Sequence, residues 1–165
     1  MQLTLFGQQD QGAIIINQYR YLLWRKWDPS RPHLLWIMLN PSQADQRCDD
    51  PTLRRVIGFS RTFGFGGLEV VNLFALRSPS PKALTQVPEL DAIGPENDHY
   101  IREAVARAGK VVVAWGEGGT LYERDQIVLS QIQQPFCLGT TRGGRPRHPL
   151  YVKGDAFLLP LEASL

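Results

Sequence analysis

Four polar breaks, each at the end of an apolar run, hold the residue types in this chain that could do chemistry. The first is Asn40-Pro41-Ser42, behind Leu34-Leu35-Trp36-Ile37-Met38-Leu39. An asparagine amide there could orient a water or meet the polar edge of a ligand, although Asn-Pro also simply ends a strand and starts a turn. The second is Asn72, set inside Val70-Val71-Asn72-Leu73 and followed by a loop carrying Arg77. An amide in an apolar strand costs free energy unless its donors and acceptors are used. It offers one donor and one acceptor, the pattern that pairs with a nucleobase edge, and it would equally tie down a loop. Trp115-Gly116 closes the third run, and Gly116 to Gly119 before a helix could cradle a phosphate, though without the lysine and hydroxyl of a P-loop. The fourth break is Arg147-His148-Pro149-Leu150, close to Arg142 and Arg145. A histidine there could stabilise a developing anion, as imidazolium or as a neutral donor. The arginines suit phosphates, and the same composition fits a solvated basic loop.

Asp49 and Asp50 could each act as a general base or bind magnesium, and Asp45 is close enough in sequence to share such a site. Asp50 before Pro51 also reads as a helix N-cap, which leaves Asp49, with Asp45 nearby, as the candidate base. No second acidic cluster completes a two-metal centre. Neither a cofactor nor a metal is expected.

These residues need elements to hold them. Gly12 to Trp27 reads as a hairpin turning at Asn17-Gln18. Leu34 to Leu39, Leu68 to Leu73 and Val111 to Trp115 read as strands buried on both faces, and Phe136 to Leu138 as a shorter one. A helix starts at Asp50-Pro51 and carries Leu53, Val56 and Ile57. A second opens at Gly94-Pro95 and carries Ile101, Val105 and Ala108. A third covers about Leu121 to Ile132. Arg77 to Pro81, with two prolines, is a loop. Strands alternating with helices predict one α/β domain over residues 1–165: a three-layer sandwich with a mainly parallel four-stranded sheet plus an N-terminal hairpin. Right-handed crossovers bring the four breaks to one edge, where such sheets hold ligands.

The chain has 165 residues, 43% of them hydrophobic, enough for one core. A net charge of +2 neither demands nor excludes nucleic acid. Cys48 and Cys137 lie outside any CxxC spacing, so core or incidental thiols in a reducing cytoplasm are expected. Met1 to Asp10 lacks the features of a signal peptide, and no apolar run spans a bilayer, so no membrane partner is expected.

Two likenesses add to this reading. Tyr19-Arg20-Tyr21 with Trp24, Leu39-Asn40-Pro41-Ser42, Asp49-Asp50-Pro51-Thr52, Val71-Asn72-Leu73-Phe74, Gly94-Pro95-Glu96-Asn97, Ala114-Trp115-Gly116 and Arg147-His148-Pro149-Leu150-Tyr151 resemble a family of short bacterial and phage proteins, domain of unknown function 1643. That name implies no activity. More remotely, the order of motifs resembles the uracil-DNA glycosylase superfamily. By that resemblance Asn40-Pro41 sits at the first motif, with Met38 where the superfamily has glycine. Asn72 would pair with a flipped base, with Arg77 in the loop behind it. His148 would stabilise the departing base anion, and Leu150 would wedge into the stack. Asn40, or the Asp45/Asp49 pair, stands in for the water-activating acid.

The sequence therefore leads us to expect a nucleobase- or nucleotide-recognising domain, with cleavage of an N-glycosidic bond in nucleic acid as the reaction open to it. Asn40, Asp49 and His148 are the catalytic candidates. Pro41, Ser42, Asn72, Arg77, Trp115, Gly116, Arg147 and Leu150 are the ligand-binding ones. Two alternatives stay open: a non-catalytic nucleotide or nucleic-acid binding module, and a metal-dependent hydrolase of a free nucleotide derivative centred on Asp49.

Overall fold

The computed structural model describes residues 10–78 and 80–162, so the signal-peptide expectation over Met1 to Asp10 falls almost wholly outside the described residues. β1 (Asp10–Ile16) and β2 (Tyr19–Lys26) form the expected hairpin. Asn17 turns the chain at φ 56°, a left-handed conformation that asparagine tolerates. β3 (His33–Met38) leads through a loop to α1 (Pro51–Thr62). The Asp50 carboxylate caps that helix by accepting from the Leu53 amide at 2.8 Å. Then follow β4 (Gly67–Asn72), α2 (Glu89–Ile93), α3 (Asn97–Arg107), β5 (Lys110–Val113), α4 (Arg124–Leu129), β6 (Pro135–Cys137) and β7 (Leu159–Pro160).

The sheet is larger and more mixed than the four-stranded, mainly parallel one expected. It has seven strands in the order β1-β2-β4-β3-β5-β6-β7. The neighbours β4-β3, β3-β5 and β5-β6 are parallel, whereas β2 joins β4 and β7 joins β6 antiparallel. The hairpin is thus part of the main sheet. β2 can be an interior strand because Tyr21, Leu22 and Leu23 are buried in succession, which covers both of its faces. β7 is two residues ending in proline, too short to carry a periodic signal.

Strand β3 shows why both faces need helices. Leu34, Trp36 and Met38 pack with Leu53, Val56 and Phe59 of α1. Leu35 and Ile37 point the other way, into a cluster with Ile101 and Ala104 of α3 and Val128 of α4. Trp36 is fully buried, and its indole N–H donates to Ser60 Oγ at 2.9 Å, which ties α1 to the sheet. Truncating Trp36 would cost about 3–5 kcal/mol.

Three helix boundaries differ from those read in the sequence. Gly94 does not open a helix; at φ 94° it ends α2, and α3 starts at Asn97. The helix expected from Leu121 begins only at Arg124, because Leu121 (ψ 126°) and Tyr122 (φ 55°) leave the helical region. The proline loop after Arg77 ends at Ser80, where Pro81–Thr85 forms a 3-10 turn. Both cysteines are free, Cys48 exposed and Cys137 buried. No helix among the described residues is long and apolar enough to cross a membrane.

Candidate functional site

Where β3, β4 and β5 end side by side, the chain must leave the sheet three times within a small area. The ladder runs past the strands themselves: Leu73 N–H donates to Met38 O at 2.9 Å and Phe74 N–H to Leu39 O at 3.0 Å. The loops then diverge around a crevice of about 510 Å³ at the carboxyl ends of the parallel strands. Asn40, Pro41 and Ser42 line it from the end of β3, Asn72 from β4, Trp115 and Gly116 from beyond β5. Arg147, His148 and Leu150 line it from the last loop, whereas Asp49 and Arg77 do not line it.

Asn40 stitches the loops together. Its Nδ2 donates to Ser78 O at 3.2 Å, while the Ser78 amide donates to Pro41 O at 3.0 Å. Only its Oδ1 is left to meet a water or ligand.

The carboxylates are committed elsewhere. Asp49 pairs with Arg25 at 3.0 Å, away from the crevice. Asp50 does line it, yet its oxygens accept from Ser42 Oγ (2.7 Å), the Ala44 amide (3.3 Å) and the Leu53 amide (2.8 Å). Burial by itself would raise its pKa; those hydrogen bonds and the Arg20 charge outweigh that and hold it below the usual carboxylate range. Such a group is a poor proton acceptor. It shapes the loop and caps α1.

Asn72 is 1% exposed and reaches the crevice wall with half of its amide unused. Arg20 Nη2 donates to Oδ1 at 3.4 Å, which sets the orientation of the amide. Nδ2 is buried without a partner. Behind it, Asn97 at the start of α3 donates to the Asn72 and Leu73 carbonyls (2.9 and 3.1 Å) and fixes the end of β4.

His148 begins a 3-10 turn, Pro149–Tyr151, and its Nδ1 accepts from the Leu150 amide at 3.2 Å. That bond requires the neutral ring to carry its proton on Nε2. Burial lowers the His148 pKa below its ordinary value, against the pull of the Asp50 charge. The ring is therefore a neutral donor near pH 7, one of the two forms the sequence allowed. Arg55 of α1 donates to the Pro149 and Val152 carbonyls and holds this turn in place. Gly116, at φ 72°, is a backbone position that resists side chains, and a Cβ there would point toward His148.

The glycine run does not form a phosphate cradle. Side chains at Gly118 and Gly119 would collide with Leu39 and the Trp115 ring, so these glycines make room for packing. Among the wall residues that escaped the sequence reading of the site are Arg20, Ser78, Glu117 and Thr141. Arg20 carried no signal, because an arginine between apolar neighbours in a strand is the pattern of a solvent-facing position.

The fold and site define an α/β protein with a seven-stranded mixed sheet and a crevice at the carboxyl ends of its parallel strands. A family model described as "Protein of unknown function (DUF1643)" matches residues 20–150, and the chain belongs to that family. Neither a curated protein nor a solved structure matches it.

Proposed function

We propose that the crevice recognises a nucleobase within nucleic acid or a nucleotide, that the fold is a three-layer sandwich of uracil-DNA-glycosylase type, and that the reaction is hydrolysis of the N-glycosidic bond. A cytoplasmic site of action belongs to the same proposal. The observation that carries it is the Asn72 amide, with a free, buried donor beside an oriented Oδ1. A buried donor without a partner costs about 1–3 kcal/mol, which a ligand carbonyl would recover. A base presenting an acceptor to Nδ2 and a donor to Oδ1 satisfies both at once. Water would attack the sugar carbon, the bonding pair would leave with the base, and the proton released from the water would pass to solvent. His148 Nε2–H would then donate to the anionic base, Asn40 Oδ1 would hold the water, Arg147 would meet phosphate, and Leu150 at the mouth, 45% exposed, would fill the stack.

One finding favours a second reading, a binding module without turnover. Asp49 and Asp50 are both engaged by protein donors, so neither is free to activate water. The metal-dependent alternative through Asp49 has less behind it, since no group of three or more His, Cys, Asp or Glu among the described residues is placed to hold a metal ion.

The test is a panel of oligonucleotides, single- and double-stranded, carrying uracil or other altered bases, together with free nucleosides. The glycosylase reading expects strand scission after alkali or release of free base. Thermal stabilisation by the same ligands without product would establish the binding module. Neither product nor stabilisation would sink both.

A further inference from the structure

Of the seven large apolar side chains exposed among the described residues, Ile16, Leu90 and Ile127 lie on three separate elements, and the other four lie within residues 150–159. Single exposed apolar residues need no explanation, whereas a cluster of them marks a contact surface. Tyr151 and Phe157 dominate this one, at 78% and 76% exposed, beside Leu150 and Leu159. Tyr151 ends the turn that His148 begins and lines the crevice at its mouth. Phe157 lies at the same edge of the sheet. β7 runs antiparallel to β6, and Leu159 stands opposite Cys137, the last residue of β6. The residues before Leu159 therefore continue past the carboxyl end of β6, on the side that holds the crevice.

The fold holds both rings outward. Arg55 of α1 donates to the Pro149 and Val152 carbonyls, on either side of Tyr151. The His148 ring stands against the tyrosine ring, 5.6 Å between centroids. Ala156 and Leu158 pack on the core cluster beneath α1, and Phe157 between them faces solvent. Rings fixed in this way lose little freedom when something stacks on them.

The charge around the rings names the partner. Residues 139–160 carry four cations, Arg142, Arg145, Arg147 and Lys153, against the single carboxylate of Asp155, a net of +3 where the whole chain has +2. Glu117 of the crevice wall is the one other acid beside the finger that these arginines occupy. That finger turns at Gly143-Gly144, is closed by a bridge between Thr140 and Pro146, and brings Arg147 to the crevice. Cations track phosphates, and exposed rings take the faces of bases. A duplex keeps those faces covered by its own stack; a single strand offers them. A second copy of this chain fits less well, because a two-fold contact would set the basic segment against itself.

We propose that Tyr151 and Phe157 form a stacking platform for single-stranded nucleic acid, with Arg142, Arg147 and Lys153 along its backbone, so that the strand reaches the crevice mouth already unpaired. This goes beyond the base-recognition reading and does not depend on it, since a strand without any altered base is held in the same way.

The test is fluorescence anisotropy with labelled oligodeoxyadenylate, oligoadenylate and a duplex of matched length, none carrying an altered base. Either single strand should bind at least about tenfold tighter than the duplex, and the tighter of the two names the polymer. Tyr151→Ala and Phe157→Ala should each weaken that binding by about five- to a hundredfold, and Tyr151→Phe should keep it. Arg142→Ala should make the salt dependence shallower by a slope of about 0.7, the share of one phosphate on a single strand. Both aromatic residues are exposed, so their variants keep the fold. Duplex binding as tight as single-strand binding, unchanged affinity in both alanine variants, or no binding at all would overturn the proposal. A dimer in sedimentation that Tyr151→Ala dissociates would give the patch to a second copy and overturn it equally. Because these strands hold no altered base, the result stands apart from success or failure of the glycosylase panel.

Discussion

The two ends of the central strands treat buried charge in opposite ways. At the amino end, Glu69 of β4 is 3% exposed and faces two cations, Arg107 at 2.8 Å and Lys26 at 3.5 Å, with the His33 ring also at 3.5 Å. Three residues further along the same strand, Asn72 has a free donor, and the neighbouring Arg20 has no carboxylate. One end spends its polar groups on the fold; the other leaves a buried donor unpaired, and on the proposed reading that donor is what meets the ligand.

The largest expected effect breaks the open end alone. Asn72→Ala should cost base affinity about 1–3 kcal/mol, roughly five- to more than a hundredfold. Calorimetric titration against the same base checks this. A variant that folds and binds as well as the unaltered chain would detach Asn72 from the ligand.

Glu69→Gln should do the reverse, lowering stability by about 1–2 kcal/mol with base affinity unchanged. The figure is kept small because Arg107 and Lys26 are more than a third exposed and partly screened by water. Burial pushes the Glu69 pKa up, but the neighbouring His33 and the Arg107 and Lys26 charges outweigh it, so the folded value lies below 4.5. Its stabilisation is therefore complete above pH 4.5 and lost as pH falls through the lower folded pKa. Denaturant melts between pH 3 and 7 should show a shallower acid limb in the variant. An identical limb would mean that the cluster contributes nothing.

Arg20→Met sharpens the contrast. The Ala44 carbonyl and Asn72 Oδ1 would lose their donor and Asp50 a favourable charge, offset in part by relief of the buried cation, and methionine fills similar space. Stability should fall by about 1 kcal/mol, and base affinity with it, because the Asn72 amide is no longer held in one orientation. Unchanged binding in a folded variant would mean that Arg20 does not set the Asn72 amide.

This contrast also explains what the sequence could reveal. Asn40 and Asn72 were legible because an amide ending an apolar run is anomalous by residue type alone, and their convergence followed from parallel strands sharing one edge. The Asp50 N-cap was equally clear. Arg20 was hidden because an arginine in a hairpin strand ordinarily faces water, and only the loop at Ala44 and the end of β4 at Asn72, which fold over it, put it inside. The occupancy of Asp49 was hidden for the same reason, since its partner Arg25 lies on that strand too. The break at Tyr122 and Glu123, both at positive φ without glycine, has no local signal; tertiary packing imposes it.

The smallest expected effect concerns His148, on the open side of the comparison. Burial lowers its pKa below 6.5 and the Asp50 charge opposes that shift. Asn caps helices as well as Asp, so Asp50→Asn should keep α1 while removing the charge, and the His148 pKa should fall further. The sign for stability follows. Below pH 6.5 the unfolded chain takes up a proton that the folded ring resists, so stability is lost as pH falls from 6.5 toward the folded pKa. In the variant that loss should continue to a lower pH. Proton and nitrogen NMR of the imidazole would follow the titration and report whether the neutral ring carries its proton on Nε2, as the Leu150 amide requires. An unmoved pKa would mean that Asp50 does not act on the ring. A ring protonated on Nδ1 would remove the donor that the crevice offers to a departing anion, and with it the role of His148 in the cleavage reading.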